Sequence, residues 1–340
     1  MINILGKTLE EFQSLLSPIG IKPFVAKQIF DWIYNKHVLD FHQMKNISKE
    51  NQEKLKTHFS LSAFKSVKAL EAGDHTARKY MMQLNDGQMI ESVVLREKTY
   101  NTLCVSSQCG CPVDCKFCLT GVVGFKRQLT AAEIVGQVLY ANQDGQPISN
   151  LVFMGMGEPL MNFDEVMKAI QIITAEYGLN ISRRKITVST SGYLAGIKRL
   201  LKEKIYLNLA FSVGHANPLK RVQLMPIENR NPLVDVLRAL HDYLSKHNRK
   251  LTLEYTLLEG KNDDDQAILE LGNMAMYLNS KINLINLNPH HKIPFKPVDS
   301  EKLRKIKSMI YRRGIPVTVR FRKGQDIAAA CGQLGESHLK

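Results

Sequence analysis

The sequence predicts an α/β fold, and three observations carry that prediction. From about residue 103 onward, short apolar runs alternate with amphipathic helical periods, as repeated βα units do when they build a parallel sheet covered by helices. The first sixty residues show helical periods only, so a helical module precedes the sheet. Between the two regions the period drops to two around a strong turn signal. The alternation fits a barrel and an open doubly wound sheet equally well. A chain of 340 residues is long enough for one large domain with an appendage.

Composition bounds the function classes. With 44% hydrophobic and 23% charged residues the chain is ordinary for a soluble globular protein. No apolar run approaches the roughly 18 residues of a membrane span. The opening MINILGKTLEEF turns acidic too early for a signal peptide. Six cysteines, five of them in one loop, do not make a secreted disulfide framework, so a reducing cytoplasm is the expected compartment. The 46 Lys and Arg against 32 Asp and Glu give +14, which favours polyanionic partners, above all nucleic acid. Arg183, Arg184, Lys220, Arg221, Arg320, Arg322 and Lys323 are the candidate RNA contacts; a generally basic, solvated surface is the competing explanation of that charge.

Taken in order, Thr8 and Glu11 form a capping box before a helix whose apolar face is Leu9, Phe12, Leu15 and Leu16. Pro23 suits the first turn of a second helix that carries Ile29, Phe30, Trp32 and Ile33. A third helix is expected from Ser48 to about Phe59. Strands at 78–84 and 89–95 flank Asn85-Asp86-Gly87, a hairpin turn. Further strands are expected at 103–107, 151–154, 186–189, 207–213, 251–257, 282–287 and 317–321. Helices are expected at 131–142, 163–177, 194–202, 233–247, 265–279 and 301–313, the first opened by a second capping box, Thr130 with Glu133.

The stretch Leu103 to Gly121, LCVSSQCGCPVDCKFCLTG, holds Cys104, Cys109, Cys111, Cys115 and Cys118. The last three read C-x3-C-x2-C. Thiolates so close together can grip one compact metal centre. A zinc knot would want a fourth Cys or His nearby, and a ferredoxin site a fourth cysteine; no further cysteine follows until Cys331. Three ligands leave one iron of a cubane open, and the spacing resembles the signature of the radical S-adenosylmethionine (SAM) superfamily. In a barrel this loop lies at the C-terminal strand ends, where sites are built. At those ends also stand Met154-Gly155-Met156-Gly157-Glu158-Pro159, Ser189-Thr190-Ser191-Gly192, Ser212-Val213-Gly214 and Asn288-Pro289. Singly, each reads as a turn or a helix cap. Together they point to a nucleoside pocket.

The tail Gln325-Asp326-Ile327-Ala328-Ala329-Ala330-Cys331-Gly332, the SSQCGC approach and MGMGEP together resemble the RlmN/Cfr family of radical SAM RNA methyltransferases, over essentially the whole chain. The resemblance implies a partial (β/α)6-type radical SAM barrel at 99–322, an N-terminal helical accessory domain at 1–62 for RNA, a β-hairpin linker at 63–98 and a C-terminal segment at 323–340. It implies a 4Fe-4S cluster on Cys111, Cys115 and Cys118, with SAM contacts at Gly157, Glu158, Ser189, Ser212, Val213, Gly214 and Asn288. Cys331 matches the cysteine that is itself methylated, Cys104 the second mechanistic cysteine and Glu91 the proton acceptor.

The implied reaction methylates C2 of an adenosine in the peptidyl-transferase loop of 23S rRNA, with tRNA as a second substrate. Adenine C2 and C8 are electron-poor and cannot take a methyl by displacement, whereas a thiolate can. The resemblance therefore implies two SAM molecules per turnover. One methylates Cys331; the other, cleaved by an external electron donor such as a flavodoxin system, supplies the radical. Cys104 then releases the product and leaves a disulfide to be reduced. The resemblance further implies a monomeric cytoplasmic enzyme. Two departures stand out: Ser212-Val213-Gly214 replaces the more common Ser-Leu-His, with His215 displaced by one, and Cys109 is extra for an RlmN-like chain. Pro159 and the first helices resemble RlmN more than Cfr. The alternatives are Cfr-like C8 methylation, another radical SAM enzyme such as a glycyl-radical activase, and a non-enzymatic iron–sulfur RNA-binding protein.

Overall fold

Both capping boxes form, and they start the helices the sequence starts. In the computed structural model, which describes residues 2–246, 251–320 and 323–338, Thr8 Oγ1 accepts from Glu11 N while Glu11 returns a bond to Thr8 N, opening α1 (Leu9–Leu16). Pro23 is the first residue of α2 (Pro23–Tyr34), and Ser48 caps α3 (Lys49–His58). Phe12 and Phe30 meet edge to face at 5.7 Å between ring centres, so the apolar faces of α1 and α2 make one small core. That core is continuous with the main one.

Three antiparallel strands follow, β1 (Ser66–Glu71), β2 (Ala77–Gln83) and β3 (Met89–Arg96). The β2–β3 turn is the one read from Asn85-Asp86-Gly87, with Gly87 at φ +85°. The alternating strands and helices then come in sequence: β4 (Asn101–Cys104), α4 (Ala131–Gln143), β5 (Ile148–Phe153), α5 (Phe163–Thr174), β6 (Ile186–Thr190), α6 (Leu194–Lys202) and β7 (Asn208–Ser212). They continue through α7 (Leu233–Lys246), β8 (Leu251–Leu257), α8 (Asp265–Tyr277), β9 (Lys281–Asn286), α9 (Ser300–Arg312) and β10 (Val317–Arg320). The expected residues 247 and 321 lie outside the described ones.

All ten strands make one sheet, in the order β10-β9-β8-β7-β6-β5-β4-β3-β2-β1. From β4 to β10 every pairing is parallel, because each crossover carries a helix. The pair β3–β4 is antiparallel, so the hairpin region continues the parallel sheet through hydrogen bonds instead of hanging beside it. The sheet is strongly curled. Arg320 at the end of β10 reaches the Met154 sulfur just after β5, at 3.6 Å. Five strand spacings of about 4.8 Å would separate those strands by ~24 Å if the sheet were flat. Lys323 likewise donates to the Arg96 carbonyl of β3 at 2.6 Å. The two edges do not pair, so the architecture is the partial α/β barrel expected from the sequence. Residues at or beside the C-terminal ends of β4 to β9, among them Cys104, Met154, Ser191, Ser212, Thr256 and Asn286, line two cavities.

Candidate active site at the C-terminal strand ends

Backbone pairing shapes the cysteine loop. Gln108–Cys109 pairs antiparallel with Arg127–Gln128 and closes residues 110–126 into one excursion. Gly110 sits at φ +73°, and a Cβ there would stand 1.6 Å from the Gly124 carbonyl oxygen, so only glycine lets the two arms of the loop cross. Cys118 donates its amide to Cys115 O at 3.1 Å and precedes the one-turn helix Leu119–Val123. Under the loop lies a second apolar core made of Val113, Leu224, Met225, Ile227, Leu258 and Leu287. Such a shell limits water and tunes a metal centre's potential.

Cys111, Cys115 and Cys118 are free, half-buried thiols. Burial pushes all three up from the ordinary thiol range, and for Cys115 the charges of Cys111 and Cys118 push further. Three adjacent thiolates in an apolar shell need a compensating cation, which is what a metal centre provides. Among the described residues no three His, Cys, Asp or Glu side chains converge as ligands of a single ion. Thiolates on separate irons of one cluster stand further apart than ligands sharing one ion. Three cysteine thiols on one loop fit the donor set of an iron–sulfur cluster.

Beside the loop opens a cavity of about 160 Å³ that reaches Gly157, Glu158, Ser189, Ser212 and Glu254. Gly157 holds φ +106°, and a Cβ would meet Gln108 at 2.6 Å; the glycine lets the turn press onto the loop. Glu158 is buried, and its backbone amide is tied to Gln108 Oε1 at 2.7 Å. Its carboxylate accepts from Ser191 N at 2.7 Å and Ser191 Oγ at 2.6 Å. Burial nevertheless holds this carboxyl above its usual range, so a cationic ammonium placed there would be favoured. Ser189 Oγ donates to Phe153 O at 2.6 Å. A larger cavity of about 520 Å³ adjoins and shares Cys118, Arg320 and Cys331 as walls. It contains both Cys104 and Asn288. Asn288 Nδ2 donates to Cys331 O at 2.9 Å, while its buried Oδ1 has no partner among the described residues. A buried, orphaned acceptor at a cavity wall fits a ligand that brings a donor.

Cys331, 227 positions from Cys104 by subtraction of the residue numbers, is brought into the same cavity by contacts from several elements. Leu119 N donates to Gly332 O at 2.8 Å, and Thr120 Oγ1 donates to Leu334 O at 2.7 Å. Burial and then the charge of Cys331 push the Cys104 thiol up to about 12, with Arg320 opposing. Both cysteines line one cavity, which their separation in sequence hides.

Several residues singled out from the sequence lie elsewhere. Glu91 lines neither cavity. Its carboxylate meets Lys79 at 2.9 Å and accepts from Gly335 N and Ser337 N. Val213 and Gly214 also line neither cavity: Val213 O accepts from Arg221 Nε and Gly214 O from Asn262 Nδ2. Of the basic residues expected to touch RNA, Arg221 is fully buried against Glu228, Ser191 O and Val213 O, so it is corrected to a structural strut. Arg183 and Arg184 precede β6 and lie at the opposite strand ends from the cavities. Arg322 lies outside the described residues. Sequence reasoning passed over Ser191 as the partner of Glu158, and Glu254 and Arg320 as cavity walls. A signal existed for the last two: Glu254 and Arg320 are charges within apolar strands, where an inward side chain needs a polar site.

Comparison with known proteins agrees with this geometry. Residues 2–61 match the ribosomal RNA large subunit methyltransferase N-terminal domain, and residues 105–272 match the radical SAM superfamily. A probable dual-specificity RNA methyltransferase RlmN of Aquifex aeolicus is 39% identical over 98% of this chain and 97% of its own. One from a Thermoanaerobacter species is 41% identical over 100% of this chain and 99% of its own. The crystal structure of a radical SAM methyltransferase from Sphaerobacter thermophilus superposes with a TM-score of 0.94 at 36% identity, covering 98% of this chain and 99% of that one. The superfamily implies a 4Fe-4S cluster and SAM, and the donor set above fits both. With strand-end cavities, cysteine loop and whole-length relatives in agreement, the chain belongs to the RlmN family of radical SAM RNA methyltransferases.

Proposed function

We propose that this enzyme methylates C2 of an adenosine in the peptidyl-transferase loop of 23S rRNA, with tRNA as a second substrate, through S-methylated Cys331. The observation that carries the reading is the meeting of Cys331 and Cys104 in one cavity that shares a wall with the cysteine loop. Cys111, Cys115 and Cys118 would hold the cluster, and Gly157, Glu158, Ser189, Ser212 and Asn288 the SAM. The cluster with SAM supplies one-electron radical chemistry that displacement cannot. The protein's part is to present sulfur and move protons. Cys331 sulfur takes the first methyl and carries its carbon to the adenine ring. The ring proton leaves to a base, for which we propose Glu91; its carboxylate is engaged by Lys79 and by Gly335 and Ser337, so this step belongs to a state in which that segment has shifted. Cys104 sulfur then attacks Cys331 sulfur. A disulfide forms as the sulfur–carbon bond breaks, the departing carbon takes a proton to complete the methyl group, methyladenosine leaves, and two electrons and two protons from a cellular reductant later restore both thiols.

Apart from the thiols, the +14 charge supports an RNA substrate. We read the enzyme as monomeric, supplied with electrons by a flavodoxin-type donor, and cytoplasmic, where RNA and reduced thiols coexist. The test is mass spectrometry of adenosines released from unmodified 23S rRNA and tRNA after incubation with SAM and a reductant. 2-Methyladenosine is expected; 8-methyladenosine would move the assignment to the other regiochemistry.

A further inference from the structure

Lys79 on β2 and Glu91 on β3 are two full charges in the protein interior, 1% and 0% exposed. In the β2–β3 register Lys79 stands opposite Val93 and Glu91 opposite Met81, which makes the two diagonal neighbours. Their Nζ–Oε2 distance is 2.9 Å. A buried ion pair offsets its desolvation only when its remaining bonding directions are also met. Here the C-terminal segment meets them. Lys79 Nζ donates to the Ala328 carbonyl at 3.0 Å. Glu91 Oε2 accepts from Gly335 N and Oε1 from Ser337 N, both at 2.9 Å. The pair thus grips the chain three residues before Cys331 and again four and six residues after it. Ala328 has a left-handed φ of +49°, costly for a residue with a Cβ, so the bend at the first grip needs a holding contact. Further along, Asn288 and Leu119 hold only the immediate neighbourhood of the sulfur.

We propose that Lys79 is a positioning residue for Cys331. Together with Glu91 it clasps the loop 328–337 at both ends and sets the Cys331 sulfur against Cys104. The inference rests on the proposed roles of those two cysteines only for its use in catalysis; the clasp itself is geometric. Lys79 touches neither cavity, so it acts through the segment and not on the reacting atoms.

The test reads the Cys104–Cys331 pair directly. Full-length, cluster-loaded enzyme is equilibrated without oxygen in glutathione and glutathione disulfide. Closing the pair removes two protons and two electrons from the thiols and converts one glutathione disulfide into two glutathiones, and peptide mass spectrometry gives the closed fraction. Lys79→Met is expected to lower the equilibrium constant at least about tenfold and to speed amide exchange at Gly335 and Ser337. Because Lys79→Met strands a buried carboxylate, the double variant Lys79→Met/Glu91→Gln serves where the single one does not fold, and the same loss is expected from it. A general contribution to stability would shift the melting temperature without shifting this equilibrium. An unchanged equilibrium constant in the folded double variant overturns the proposal. Wild-type enzyme with the expected equilibrium and exchange but no methyladenosine would overturn the function proposed above and leave the clasp intact.

Discussion

The loop cysteines and Cys331 are held in opposite ways. Cys111, Cys115 and Cys118 fall within eight residues, crossed at Gly110 and seated on the apolar floor of Val113, Leu224 and Leu287. Their mutual arrangement is written almost wholly in local sequence. Cys331 is placed by the Leu119 amide, by the Asn288 and Thr120 side chains, and by two buried charges on the hairpin strands, each from a distant part of the chain. A metal centre needs rigid donors, whereas in the proposed mechanism the Cys331 sulfur meets two partners in turn and is better held by a few polar bonds than by a core. The first arrangement should therefore fail all at once when disturbed, and the second by degrees.

The largest effect follows from breaking the local set. Cys111→Ala, Cys115→Ala and Cys118→Ala are each expected to abolish both the visible iron–sulfur absorbance after anaerobic reconstitution and all release of 5′-deoxyadenosine. A variant that keeps a full cluster and its activity would remove that residue from the donor set. Next comes the strut beneath the same pocket. Glu228→Gln leaves the Arg221 guanidinium buried without its counter-charge, a loss of about 3–5 kcal/mol, seen as a lower denaturant midpoint. Because Arg221 also bonds Ser191 O, and Ser191 holds Glu158, SAM binding should weaken in the still-folded fraction.

Smaller effects belong to the surface. RNA affinity should fall linearly in log–log form with salt, by about 0.7–0.9 of slope per phosphate contact. Lys220, exposed on the helix Pro218–Leu224 at the cavity end, is expected to contribute to that slope, whereas Arg184→Ala at the opposite end should leave it unchanged. Filter binding from low to high salt separates them. On the hairpin, Glu71 is held down to about 2 by Arg96 and Arg78. Its folded value is depressed, so its contribution is present above the ordinary 4.5 and is lost as pH falls from there toward 2. In Glu71→Gln that part of the acid-induced loss of stability should disappear, which thermal melts between pH 5 and 2 would record.

Legibility followed the same division. Both capping boxes, the hairpin turn and the strand–helix alternation were readable because each depends on neighbours a few residues apart. Strand β1 was passed over: Ser66-Val-Lys-Ala-Leu-Glu71 is an edge strand, largely half-exposed and polar on alternate positions, and resembles a loop until its partner is known. Arg221 was misjudged for the same reason, since the carbonyls and the carboxylate that bury it come together only in the fold. The three loop cysteines proposed to hold the cluster stand out by their spacing. The pairing of Cys104 with Cys331 came only from likeness to a family, and no local pattern marks the buried Lys79 and Glu91 as partners of the tail.

One variant separates the proposed roles of Cys104 and Cys331 most directly. Cys104→Ala should still take a methyl onto Cys331 and still attack adenine, but it lacks the thiol that frees the product. The protein purified from cells and run on a denaturing gel should carry RNA bound covalently through Cys331, reduced by nuclease to a single modified nucleotide. A Cys104→Ala enzyme that turns over normally and carries no RNA would contradict the assignment of the two cysteines.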